Sequence, residues 1–177
     1  MIDQSARQLL ALTRSVNRIQ SAQALSFTNE LSYTTLTYSE NQEVFGNSWL
    51  FLSWGYSLIN SDRDNGIEIP ISWQDGTPFI FVNRQGFYNA NITLSFDKDI
   101  TKSIMRLYVN DVIVQTVQQL GGTVNSNGSN SFSFTFFVDE GDIVQFAFSS
   151  DEYTQIINIP SDLSFAGSPI LNLVKIV

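Results

Sequence analysis

An all-β antiparallel sandwich preceded by one N-terminal helix is the architecture this sequence predicts, and three observations predict it. Beyond residue 26 the apolar residues recur at every second position, the period of a strand with one buried face. Gly, Asn, Asp and Ser clusters cut that stretch into roughly ten short segments, as a sandwich or jelly roll requires. Hydrophobic residues make up 43% of the 177 and charged residues only 15%, which suits one sizeable core in one domain.

The helix comes first. Ile2, Ser5, Leu9, Leu12, Val16, Ile19 and Gln23 fall at alternating spacings of three and four, the seam of a short coiled coil. Such a helix is marginal alone, so it is expected either to meet partner copies or to pack on its own domain. Arg7, Arg14 and Arg18 against Asp3 give residues 1–29 a net charge of +2 in a chain whose total is −8. Those arginines read either as a solvated helix face or as a docking surface for an acidic partner. Residues 1–28 are therefore expected to oligomerise or anchor the chain, and residues 29–177 to form the head domain.

The strands follow. "LSYTTLTY" is rich in β-branched and aromatic residues. "NSWLFLSWGYSLIN" is dense enough for a strand covered on both faces or lying at a subunit contact. "GIEIPIS" alternates Ile67, Ile69 and Ile71, and Pro70 places it at a sheet edge or bulge. In "GFYNANITLSF", Tyr88, Ala90, Ile92, Leu94 and Phe96 share one face. "SIMRLYVND" and "VIVQTVQ" flank a tight turn at Asn110-Asp111. Beyond the Gly/Asn/Ser loop near residues 121–130, Phe132, Phe134, Phe136 and Val138 face inward, as do Val144, Phe146 and Phe148.

Several chemistries are disfavoured. The chain has no cysteine and no histidine, which removes disulfides, thiolate sites, the commonest general base and every Ser-His or Cys-His pair. A net acidic chain gains no counterion-release drive toward nucleic acid. No run approaches the roughly 20 apolar residues of a membrane span, and no signal-peptide core is expected, so synthesis in a host cytoplasm is.

Asp139, Glu140 and Asp142 around Gly141 could offer oxygen ligands to calcium. Their place between two inward-facing runs reads instead as a wet reversal whose glycine supplies a positive φ. Asp62 and Asp64 in "NSDRDNG" lack the spacing of a calcium loop, since the glycine falls a residue early and no Glu closes it. No cofactor is expected, with calcium the sole candidate. Paired carboxylates for glycoside cleavage have no specific signature here, so no enzyme is expected. Trp49, Trp54 and Trp73 read as core or interface, with a sugar-stacking platform as the alternative.

Three features in order resemble the globular head of complement component 1q and the tumour necrosis factor-like trimers. Gly86-Phe87-Tyr88 resembles the opening of that family's central strand, Gly141-Asp142-Ile143-Val144 its late hairpin, and "SFAGSPILNLVKI" its closing strand. Ala90 stands where an aromatic is usual, and Ser168-Pro169 interrupts the last motif. The resemblance implies a homotrimer of jelly rolls packed through aromatic faces, with Tyr88 and Phe146 as oligomerisation candidates beside Ile2, Leu9, Leu12, Val16 and Ile19. With a cysteine-free composition, it implies a structural virion protein of a bacteriophage or other virus. Such a protein would be a fibre tip or capsid decoration whose partners are its own copies and other virion proteins. The alternative is an attachment head that reads a host glycan or receptor through the loop near residues 121–130.

Overall fold

A computed structural model describes residues 32–38, 40–55, 57–60, 70–120, 129–157 and 169–176. The expected helical seam (Ile2, Leu9, Leu12, Val16, Ile19) and Arg7, Arg14 and Arg18 lie outside them, as do Asp62, Asp64 and most of the 121–130 loop.

The described residues form an antiparallel β-sandwich. One sheet has five strands in the order β10 (Ser129–Val138), β7 (Gly86–Ser95), β13 (Ile170–Lys175), β1 (Ser32–Thr37), β4 (Ser57–Asn60). The other runs β5 (Ile71–Trp73), β6 (Ile80–Val82), β11 (Ile143–Ser150), β8 (Lys102–Val109), β9 (Val112–Leu120). The short β3 (Leu50–Phe51) lies beside the far end of β11, and β2 (Gln42–Val44) pairs with β12 (Thr154–Ile156). Sequence-distant strands sit side by side while neighbours in sequence such as β7 and β8, or β10 and β11, lie in opposite sheets. This is jelly-roll connectivity.

The period-two reading of the long strands holds. On β7 every residue assigned inward is buried, and its partner β10 runs in register with Phe132, Phe134 and Phe136 also buried. Facing them, β11 supplies Val144, Phe146 and Phe148 and β8 supplies Met105 and Leu107. Phe146 is the hub of this core: its ring meets Phe134 at 5.6 Å, and Phe136 and Trp54 at 6.5 Å. Phe148 is stacked on Phe96 at 5.3 Å. Aromatic contacts of this kind add to simple area burial.

The turns follow their residues. Asn110 and Asp111 both have positive φ, 49° and 65°, the conformation of a two-residue type I′ hairpin between β8 and β9. Ile71 begins the edge strand β5 directly after Pro70, as the missing N–H requires. "NSWLFLSWGYSLIN" differs from expectation: it divides into β3, an isolated bridge from Trp54 to Thr77, and β4 in the opposite sheet. Its apolar density reflects a segment crossing between sheets, not one continuous strand.

Candidate functional site: the turns and outward faces of the sandwich

The acidic reversal at residues 139–142 is built as a turn. Gly141 has φ +89°, and a Cβ there would meet nothing within 4 Å, so backbone conformation alone selects glycine. Asp142 uses both carboxylate oxygens locally. Oδ2 accepts from the Asp139 backbone N–H at 2.8 Å, and Oδ1 accepts from Asn110 Nδ2 at 2.7 Å. Asn110 Oδ1 in turn accepts from the Ile143 N–H at 2.9 Å. One side-chain pair therefore clips the β8–β9 turn to the β10–β11 turn. Among the described residues no group of three or more acids is placed to hold a metal ion.

Tyr88 and Phe146 are not available as oligomerisation residues. They are 1% and 0% exposed within a single chain, and the Tyr88 hydroxyl donates to the Arg84 carbonyl at 2.6 Å. Gly86-Phe87-Tyr88 opens the long strand β7, where alternation sends the tyrosine inward and presents its neighbour Phe87 instead. Phe87 packs on Phe137 of β10 at 5.2 Å, both rings half exposed on the outward side.

That outward side of the five-stranded sheet carries an unusual side-chain set. Beyond the Phe pair lie Asn89, Asn91 and Thr93 on β7, Ser131, Ser133 and Thr135 on β10, Asn172 on β13 and Thr35 on β1. They are knitted together. Asn89 donates to Thr135 at 3.0 Å, Asn91 to Asn89 at 2.7 Å and Thr35 to Asn172 at 2.8 Å, and Thr93 and Ser131 share a bond at 3.2 Å. Among the described residues of these four strands, no charged side chain faces outward; Lys175 on β13 is buried on the inner side. In the other sheet, β9 is an edge strand that approaches β10 and carries no charged residue. Val112, Ile113 and Val114 stand exposed on it.

The outward side of the six-stranded sheet is different in kind. β11 is buried along both faces, because residues before and within β3 reach over it. Phe51, opposite Ala147, lies on Tyr108 of β8 at 5.2 Å. Trp49 covers the Arg106 guanidinium at 3.9 Å from the ring centroid. Beneath these rings sit Gln145 and Ala147. The three tryptophans thus separate. Trp54 is core, Trp73 is tied by its indole N–H to the Gly55 carbonyl, and Trp49 alone roofs an outward face.

At the far end, Asp151 accepts from the Thr101 hydroxyl and from the Lys102 backbone N–H, the latter at 3.2 Å. The Thr101 bond is the main reason its carboxyl lies below the ordinary value, with partial burial opposing. On Tyr38, burial and the nearby Glu40 and Asp75 carboxylates push the phenol up.

Strand order, the two-sheet core and the crossovers define a tumour necrosis factor-like jelly roll. Solved structures share it. Murine APRIL superimposes with a TM-score of 0.55 at 13% identity, covering 82% of this chain and 99% of that one. The Eiger tumour necrosis factor from S. frugiperda gives 0.55 at 11% identity, covering 84% and 94%. The PRD1 vertex protein P5 gives 0.56 at 10% identity, covering 82% and 97%. At such identities the likeness is one of fold. No protein-family model and no curated protein matches the sequence.

Proposed function

We propose that this chain is a non-catalytic, self-assembling head of a virion, three copies meeting about a threefold axis, with residues 1–28 joining it to the particle. The observation that carries the reading is the uncharged outward face of the five-stranded sheet on a protein of net charge −8. Copies of an acidic protein repel, and burying unpaired carboxylates is costly, so a face cleared of charge is where copies can meet. A second uncharged surface, the β9 edge with Val112 to Val114, flanks it. Two different surfaces on one protomer suit a heterologous contact, which closes as a ring instead of a two-fold pair. Hydrophobic burial of Phe87, Phe137 and the exposed valines would supply much of the affinity.

The virion setting is supported by the likeness to a vertex protein and by a cysteine-free chain, unlike the disulfide-dense secreted domains of animals. Mass in solution tests the assembly. Sedimentation of the full chain is expected to give three times its 19.9 kDa at micromolar concentration, and a monomer there overturns the reading.

A further inference from the structure

Two polar atoms on the outward side of the six-stranded sheet are buried with no hydrogen-bond partner: Nε of Arg106, a donor, and Oε1 of Gln145, an acceptor. Gln145 is only 5% exposed. It sits opposite Tyr108 in the β8–β11 ladder, and Arg106 is the next outward position along β8, so the two are diagonal neighbours on one face. Buried polar groups in folded proteins nearly always have partners, and an orphaned pair of opposite kinds asks for a group that can both give and accept. A hydroxyl is such a group.

The surroundings narrow the choice. Trp49 lies over the guanidinium carbon at 3.9 Å from its ring centroid, a cation–π contact that supplies no hydrogen-bond acceptor in the ring plane. Phe51 and Tyr108 add two more rings, and the small Ala147 lies between the strands that carry them. Among the described residues no carboxylate pairs with Arg106, although the chain holds 17 acidic residues. A lone guanidinium fork matches one carboxylate, aromatic faces match the C–H faces of a pyranose ring, and the amide matches a ring hydroxyl.

We propose that this face binds an anionic saccharide, a uronic or sialic acid residue. Arg106 takes the carboxylate, Gln145 accepts from a neighbouring hydroxyl, and the Trp49, Phe51 and Tyr108 rings hold the sugar. The rings that cover the two buried atoms are carried by the loop before β3 and by β3 itself, a two-residue strand, so the cover rests on the shortest strand of the sheet. The site lies on the outward side of the six-stranded sheet, not on the uncharged five-stranded face, with Tyr108 next to Ile113 of the β9 edge. Its test reads ligand binding separately from mass.

The test uses the full-length protein with two matched ligand pairs in calorimetry. Tetragalacturonate is set against its methyl ester, and sialyllactose against lactose. At least one acidic member is expected to bind saturably, about tenfold or more tighter than its neutral counterpart. Tryptophan emission should change on binding, and the change should vanish in Trp49→Phe. Arg106→Gln is expected to reduce the acidic ligand to the affinity of the neutral one, while Arg106→Lys, which keeps the charge without the fork, recovers part of the loss. No saturable binding of either acid at millimolar concentration overturns the proposal, as does equal affinity within both pairs or binding that survives Arg106→Gln. Should that variant fail to fold, the ester comparison on the unaltered protein still decides. Mass measured in the same samples reports on self-assembly separately.

Discussion

The two outward faces of this sandwich obey one rule of strand alternation and reach opposite solutions. On the five-stranded sheet the outward positions are Asn, Thr and Ser, bonded to one another, with Phe87 and Phe137 at one end. On the six-stranded sheet Trp49 and Phe51 fold back over β11 and reach Arg106 and Tyr108. An uncharged face of mutually bonded side chains suits a large surface such as another copy. A roofed face with a cation and unpaired polar atoms suits a small ligand. Polarity alone does not distinguish the two; the arrangement of charge and cover does.

Both faces rest on the same aromatic core, so the largest effect comes from removing its hub. Phe146→Ala is expected to cost about 3–5 kcal/mol, because it deletes ring contacts to Phe134, Phe136 and Trp54 and leaves a cavity. Denaturant unfolding would show it. A loss below about 1 kcal/mol would mean that the ring is not the common support of the two sheets.

A single charge then separates the faces. Asn91→Asp places a carboxylate in the middle of the uncharged field, where a neighbouring copy would bury it. The proposed trimer should fall apart to monomers with little change in the fold. Ser72→Asp, exposed on β5 at the edge of the six-stranded sheet away from β9, adds the same charge to the other sheet and should leave the mass unchanged. If the second substitution dissociates the protein and the first does not, the assignment of the faces is reversed.

The turn that passes the chain from β10 in one sheet to β11 in the other gives a smaller effect. Gly141→Ala introduces no clash, since the space is open, but forces a Cβ into φ +89°. About 1–2 kcal/mol of stability should be lost, with both faces and the mass intact. A neutral result would show that the turn relaxes to another conformation.

The sequence disclosed the inner half of this molecule far better than the outer half. Alternation on β7 and β10 marked the core because burial repeats at each second residue. By contrast, β11 is buried on both faces, and its alternation marked only the side that meets the core. Asn110-Asp111 and Gly141 marked their turns through positive φ. The outward faces gave no comparable signal. Phe87 and Phe137 were legible as the positions opposite the buried set, but their pairing depends on the β7–β10 register. The Trp49–Arg106 contact joins residues far apart in sequence and needs the crossover of residues 49–60, which apolar density alone presented as one strand. Tyr88 and Phe146 show the same limit. A motif can locate a strand, while the side on which each residue lies decides what it can touch.

Acid offers the finest separation of the faces. Asp151 follows β11 and its carboxylate holds Thr101 and the Lys102 N–H at the start of β8, inside the six-stranded sheet. Those bonds favour the ionised form and hold its pKa below the ordinary value. A depressed pKa adds stability that is fully present above the unfolded value of about 4 and is lost as pH falls through the lower folded value. The side chain is partly exposed, so solvent screening keeps the effect small. Asp151→Asn should therefore lower Tm slightly at neutral pH and flatten its decline in acid. Over the same window the outward face of the five-stranded sheet holds no titrating group among its described residues, so the mass should stay constant while Tm falls. A mass that fell in step with Tm would tie assembly to the acidic end of the sandwich instead of its uncharged face.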